Sequence, residues 1–189
     1  MKHDRQGNQL RIIAGRWRGR KLAFAPVPGL RPTPDRVRET LFNWLQPVLA
    51  GANCLDMFAG SGVLGMEAAS RGARRVVFIE SQLVVANQLA DNINTLGLGQ
   101  TSLLKGDALD VLKSIEGEAF DIVFVDPPFH QDLVNKACRQ LQQLNLLKPV
   151  ARIYIESEKP ISSDDLPAGW VLTHAKKAGQ VFYHLAIAN

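Results

Sequence analysis

From Asn53 onward, short apolar runs rich in β-branched residues alternate with segments of helical spacing, and this alternation restricts the possible folds more than any other feature. Residues 54–58 read as a strand, 59–62 as a tight turn and 63–71 as a helix closed by Gly72. Residues 75–79 form a second strand ending in Glu80. Ser81 then caps a helix whose Val84, Val85, Leu89, Ile93 and Leu96 run to Gly97. A third strand at 101–104 leads through Gly106 and Asp107 to a short helix carrying Leu109 and Leu112. The fourth strand, Ile122-Val-Phe-Val125, is too short for a buried helix. Leu133, Ala137, Leu141 and Leu144 mark the next helix, and residues 152–156 the fifth strand. Two last strands, 170–175 and 180–187, are joined through 176–179 closely enough to pair antiparallel. The expected fold is α/β: a doubly wound parallel sheet with helices on both faces, to which the terminal hairpin adds one antiparallel strand.

At 189 residues the chain fills one domain, with room for a small appendage. No apolar run approaches the roughly 20 residues that span a bilayer. The start, Met1-Lys-His-Asp-Arg-Gln6, lacks the apolar stretch of a signal peptide. Cys54 and Cys138 offer neither a disulfide framework nor metal-ligand spacing. A cytoplasmic, reduced, metal-free protein is the expectation.

The net charge of +4 conceals an asymmetry. Residues 1–38 hold ten basic side chains against two acidic ones, a local +8, while the remainder holds twelve against sixteen. A local basic excess is the electrostatic footprint of a polyanion site. Residues 1–9 read as a disordered lead. Residues 10–14 and 20–24 read as two short strands around Gly15-Arg-Trp-Arg-Gly19, a hairpin with glycine at both ends of its loop. Trp17 between Arg16 and Arg18 combines a stacking surface with phosphate-seeking guanidiniums, although the same ring can instead pack on the hairpin. Pro26, Pro28, Pro32 and Pro34 stiffen a connector. Thr33 is placed to cap a helix with Pro34 at its first position; Val37, Leu41, Trp44, Leu45 and Val48 give that helix one buried face. Arg36 and Arg38 lie near its start. Lys176 and Lys177, on the last turn, are within reach of phosphate. His130, His174 and His184 read as loop or sheet residues, and Met57 and Met66 as packing.

In such sheets, ligands sit at the carboxyl ends of the strands. Gly60-Ser-Gly-Val-Leu-Gly65 matches the dinucleotide fingerprint, and Glu80 lies about 20 residues beyond its first glycine, where a carboxylate holds two ribose hydroxyls. Alone, that match fits NAD as well as any other nucleoside cofactor. Asp107 ends the third strand, where an acceptor can take an adenine amino group. With Asp56, Glu80, Asp107 and Asp126 the rim is too acidic for a pyrophosphate and well suited to a sulfonium cation, so S-adenosylmethionine fits better. The fourth strand stops at Asp126-Pro-Pro-Phe129. Two prolines hold Asp126 extended and leave carbonyls with no competing N–H. Carboxylate, carbonyl and aromatic face together suit a flat heterocycle bearing an amino group.

Leu55-Asp-Met-Phe-Ala-Gly-Ser-Gly62, Glu80, Gly106-Asp107 and Asp126-Pro-Pro-Phe129, in this order, resemble the motifs of class I S-adenosylmethionine-dependent amino-group methyltransferases. Residues 11–22 (Arg-Ile-Ile-Ala-Gly-Arg-Trp-Arg-Gly-Arg-Lys-Leu) and 31–42 (Arg-Pro-Thr-Pro-Asp-Arg-Val-Arg-Glu-Thr-Leu-Phe) closely resemble the RsmD family, the bacterial 16S rRNA guanine(966)-N2 methyltransferases. The similarity covers nearly the whole chain. It implies a Rossmann-like, seven-stranded sheet ordered 3-2-1-4-5-7-6. It also implies an RNA-binding extension over 1–33 and a methyltransferase domain over 34–189. The cofactor would lie against Asp56, Phe58, Ala59, Gly60, Ser61, Gly62, Glu80, Gly106, Asp107, Ala108 and Asp126, leaving as S-adenosylhomocysteine. Asp126, Pro127 and Phe129 would serve catalysis. Arg11, Arg16, Trp17, Arg18, Arg20, Lys21, Arg31, Arg36 and Arg38 would meet 16S rRNA. The expected substrate form is a partly assembled 30S particle that ribosomal proteins help complete. A monomer is the simplest expectation. Relatives that methylate DNA adenine or protein glutamine usually carry Asn and Tyr where this chain has Asp126 and Phe129, and an inactive nucleoside-binding RNA module would not need the acidic tetrapeptide.

Overall fold

Apolar, β-branched sequence runs become strands wherever both faces can be covered, and the chain supplies helices for both. The computed structural model describes residues 9–28, 30, 32–129 and 131–189. Its elements are β1 (Gln9–Arg11), β2 (Lys21–Ala23), α1 (Asp35–Leu49), β3 (Asn53–Asp56), α2 (Val63–Ser70), β4 (Arg75–Glu80) and α3 (Leu83–Leu96). There follow β5 (Thr101–Lys105), α4 (Ala108–Ser114), β6 (Phe120–Val125), α5 (Leu133–Gln143), β7 (Leu147–Ser157), a 3-10 turn at Ser163–Asp165, β8 (Trp170–Ala178) and β9 (Val181–Ala188). The main sheet is ordered β5-β4-β3-β6-β7-β9-β8. Counted within the sheet, this is the expected 3-2-1-4-5-7-6. The pairs β5–β4, β4–β3, β3–β6 and β6–β7 are parallel, while β9 runs antiparallel to both of its neighbours.

The period-2 alternation of strands sorts the core into two layers. Cys54, Val76, Phe78, Ile122, Phe124 and Tyr154 face one side, against Leu41, Phe42 and Leu45 of α1, Val63 and Met66 of α2 and Leu89 of α3. Leu55, Val77, Ile79, Val123, Val125, Ile153 and Ile155 face the other, with Leu112 of α4 and Ala137, Cys138 and Leu141 of α5. Both cysteines are buried, which raises both thiol pKa values and leaves Cys138 at about 12. No helix among the described residues is long and apolar enough to cross a membrane.

The N-terminal segment is part of this core and not a free arm. β1 and β2 pair antiparallel, shorter than expected, with Gln9 inside the strand instead of in a lead. Leu10, Ile12 and Leu22 are buried in the α1–α3 layer, where each contributes about 1.5–3 kcal/mol. Glu67 of α2, wholly buried, holds the segment down. One of its oxygens accepts from Ile13 N–H (2.9 Å) and Arg38 Nη1 (3.2 Å), the other from Ala14 N–H (3.0 Å) and Arg71 Nε (2.8 Å). Gly15, at φ +81°, passes so close to α2 that a Cβ would lie 1.9 Å from the Ser70 carbonyl oxygen. The boundary at residue 33 therefore divides the sequence but not the packing.

Several local expectations change. Thr33 does not cap α1: Pro34 holds the cap position, and the Thr33 hydroxyl donates to Glu156 instead (3.2 Å). Ser81 does not cap α3 either; the Gln82 N–H there is taken by Glu80. Val84 is exposed, with Val85 on the buried face. Lys176 and Lys177 lie on β8 and not in a turn, because the hairpin closes through Gly179 and Gln180 alone. His130 lies outside the described residues. His174 is exposed, while His184 is buried with its Nε2 accepting from Ile161 N–H (3.3 Å).

Candidate active site

The even-numbered positions of β3, β4, β6 and β7 face the α1–α3 layer until the strands end. At those ends the same face carries Asp56, Glu80, Asp126 and Glu156, with Asp126 one residue past β6. Four neighbouring strands thus present four carboxyl groups along one edge.

Between β3 and α2 the chain turns through Phe58-Ala-Gly-Ser-Gly62. Gly62 N–H donates to the Ala59 carbonyl (2.7 Å), and Gly60 and Gly62 take φ of 52° and 74°. The fingerprint's third glycine, Gly65, serves packing: a Cβ there would lie 2.2 Å from the Phe78 ring. Glu80 is buried to 8% exposure and fixed by two amides, Gly60 N–H to Oε2 (2.8 Å) and Gln82 N–H to Oε1 (2.7 Å). Each carboxylate oxygen keeps a second lone pair for an outside donor. Asp56 is turned inward: its Oδ2 accepts from Gly65 N–H (3.0 Å), and burial, set against that hydrogen bond, pushes its pKa up to about 7. It supports the turn from beneath. Ser61 and Ala59 are likewise buried, leaving Phe58 and Gly60 the more open members of the loop. Gly106 N–H donates to the Glu80 carbonyl (3.0 Å), which ties the β5 turn to the β4 end. Asp107 caps α4 with Oδ1, accepting from Leu109 N–H (2.9 Å), and Ala108 is buried behind it.

On the other half of the edge, Asp126 is partly buried, Pro127 buried, and Phe129 exposed to 38%. Burial raises the Asp126 pKa well above the usual carboxyl range, and the charges of Glu156 and Asp56 push it the same way. Glu156, in sequence only the end of a strand, lies beside Asp126, since Val125 and Ile155 are register partners. Its Oε1 accepts from Tyr154 Oη (2.8 Å) and Thr33 Oγ1 (3.2 Å), so both donors hold one oxygen. Burial raises its pKa too. The sequence does carry a signal for it: every one of these parallel strands reaches its end in an acid on the same parity.

The residues expected to meet RNA divide. Arg16, Arg18, Arg20, Lys21 and Arg36 are exposed. Arg11 is exposed and pairs with Asp35 (3.3 Å). Arg31 lies outside the described residues. Trp17 is half-buried against the core, with the Arg16 guanidinium 5.0 Å from its ring. Arg38 must be withdrawn from the RNA set. It is 1% exposed and bonded to Glu67, Asp35 and the carbonyls of Thr33 and Arg11.

This sheet order, with a glycine turn after its first parallel strand, is the Rossmann-like fold of class I methyltransferases. The family described as Conserved hypothetical protein 95 matches residues 10–187. Ribosomal RNA small subunit methyltransferase D of Escherichia coli K12 is 49% identical over 177 residues, covering 94% of this chain and 89% of that protein. The protein of the same name from Haemophilus influenzae is 49% identical over 182 residues, covering 94% and 93%. The solved structure of a putative methyltransferase from Escherichia coli superposes with a TM-score of 0.88 at 47% identity, covering 95% of this chain and 98% of that one. A putative methyltransferase solved with S-adenosylhomocysteine shares the fold at 15% identity and a TM-score of 0.73, covering all of this chain and 58% of its own. The chain belongs to the RsmD family.

Proposed function

We propose that the chain transfers a methyl group from S-adenosylmethionine to the exocyclic N2 of a guanine in small-subunit rRNA. The observation that carries this reading is the edge of four acids, divided between a glycine-lined half with Glu80 and a proline-lined half with Asp126 and Glu156. The 16S position 966 and a partly assembled small subunit follow from the family resemblance and form part of the proposal.

The first half fits the cofactor. Glu80, already oriented by two amides, offers its remaining lone pairs to the ribose hydroxyls. Phe58, Gly60 and Gly62 give close backbone approach, and Gly106, Asp107 and Ala108 bound the adenine side. Asp56 acts through the turn it supports. When bound, the cofactor supplies an electrophilic methyl carbon on a sulfonium, and the acidic edge favours that cation.

The second half fits guanine. Its Watson–Crick edge carries two kinds of donor side by side, N1–H and N2–H2, and two carboxyl groups on adjacent strands are matching acceptors. Asp126 and the Pro127 carbonyl accept from the amino group, which draws the nitrogen lone pair out of ring conjugation and aims it at the methyl carbon. Asp126 also stabilises positive charge developing on that nitrogen. Once the carbon–nitrogen bond has formed and the carbon–sulfur bond broken, it takes the N2 proton to leave the neutral methylated amine. Glu156 faces N1–H, and Phe129 stacks on the splayed base. Adenine would instead turn an N1 lone pair toward Glu156, which disfavours it.

RNA carrying single substitutions at the target tests this. Inosine, which lacks the N2 amine, should accept no methyl group. 2-Aminopurine keeps the amine but lacks N1–H, and should react about tenfold or more slowly, a penalty reduced in Glu156→Gln. Inosine RNA methylated as well as guanine RNA would overturn the proposal.

A further inference from the structure

We propose that the cleft between the first turns of α1 and the end of the β8–β9 hairpin binds the RNA backbone, as a phosphate site flanking the target nucleotide. This rests on the reading of the chain as an RNA methyltransferase. The cleft encloses about 480 Å³ between Arg36 and Thr40 on one wall and Lys176, Lys177, Gly179 and Tyr183 on the other. Arg36, Lys176 and Lys177 are all exposed, and among the described residues none of the three has a carboxylate partner. Of the neighbouring acids, Asp35 is bonded to Arg38 and Arg11, and Glu39, exposed one turn after Arg36, forms no ion pair with any of the three among the described residues. Unneutralised cations gathered in one concavity fit a polyanion.

The position is set by strand register. Asp126 lies beside Glu156, Glu156 is paired with Tyr183, and Tyr183 is paired with Lys176. At about 4.8 Å per strand, Lys176 stands about 14 Å along the sheet from the proposed base site. An extended strand covers that span in on the order of two or three nucleotides. The floor is preformed. Tyr183, which lines the cleft, stacks with Trp44 behind it (5.7 Å); Trp44 also stacks with His174 (4.7 Å), and the Lys176 ammonium lies 5.7 Å from the Trp44 ring. Lys177, on the opposite pleat, lies over Phe182 (4.8 Å) and reaches the cleft beside the hairpin turn. Contacts from these cations to phosphates carry no sequence information, so the site acts on any sequence.

The test compares wild type with Arg36→Ala/Lys176→Ala/Lys177→Ala, measuring binding to protein-free 16S RNA over a salt series, methyl transfer to partly assembled small subunits, and calorimetric affinity for S-adenosylmethionine. RNA affinity should fall about tenfold or more. The slope of log affinity against log salt should shrink by about 0.7 for each phosphate that is no longer neutralised. Cofactor affinity should hold, and Arg36→Lys/Lys176→Arg/Lys177→Arg should restore binding. Unchanged RNA affinity and slope would overturn the site, as would a loss that the charge-keeping variant does not restore. A defect confined to protein-containing particles would reassign the cleft to an acidic ribosomal protein and also overturn it. Wild type that transfers no methyl group to RNA would instead remove the underlying functional reading.

Discussion

Asp126 stands where β6 runs into two prolines, so its carboxyl group has adjacent carbonyls but no strand partner to support. Asp126→Ala should therefore retain calorimetric affinity for S-adenosylmethionine while losing most methyl transfer. Because burial and the neighbouring acids raise its pKa, the accepting carboxylate is depleted in acid, and turnover should climb as pH rises above the ordinary carboxyl range. Glu80→Ala should weaken cofactor binding by about 1.5–3 kcal/mol, the value of a charge-assisted hydrogen bond; an unchanged dissociation constant would take Glu80 out of the site. Asp56 gives a stability signature. Its folded pKa, about 7, exceeds the unfolded value, so its stabilising contribution is complete below about pH 4 and is lost as pH rises through 7. Asp56→Asn keeps an acceptor for Gly65 N–H and should gain on wild type with increasing pH, by at most roughly 4 kcal/mol, as read from denaturant titrations at several pH values. Asp126 and Glu80 are legible in the sequence because their signals are local, a proline pair and a glycine spacing. Glu156 is legible only as another strand-end acid of the same parity, since its place beside Asp126 exists only once β6 and β7 are registered. Arg38 misleads for the same reason: its burial depends on Glu67, 29 residues away.

The elements are more legible than their ends. Apolar alternation locates all seven strands of the main sheet, but polar Lys176 and Lys177 on the sheet-edge strand β8 read as turn, and lysines are the residues that edge strands use to discourage pairing. The basic N-terminal segment reads as an appendage because its arginines dominate its composition, while the contacts that matter run from Leu10, Ile12 and two backbone amides to the α1–α3 layer. Two consequences follow for this element. Glu67→Ala should cost about 3–5 kcal/mol in unfolding free energy, because it leaves buried Arg38 with only the half-exposed Asp35 and strips the acceptor from Ile13 N–H, Ala14 N–H and Arg71. Deleting residues 1–25 should lower the melting temperature sharply as well as RNA affinity. A truncated protein as stable as the full chain would show that Glu67 and the core residues of β1 and β2 contribute little.

Across the whole molecule, one sheet edge is divided by charge. The ends of β4, β3, β6 and β7 are acidic, matching a cationic cofactor and a donor-bearing base, while the α1–β8 cleft beside them is basic, matching a phosphate backbone; the basic loop after β1 lies apart from both, at the far end of α2 against Ser70. The fold places the acidic edge and the α1–β8 cleft side by side. The central claim is that the acidic edge modifies the amino group of guanine in RNA. Its most direct test uses tritiated S-adenosylmethionine with protein-free 16S rRNA and with partly assembled small subunits from cells lacking this gene, followed by nucleoside analysis. Label recovered as N2-methylguanosine is the predicted result; label on adenine or on protein, or no transfer while the cofactor still binds, would contradict it.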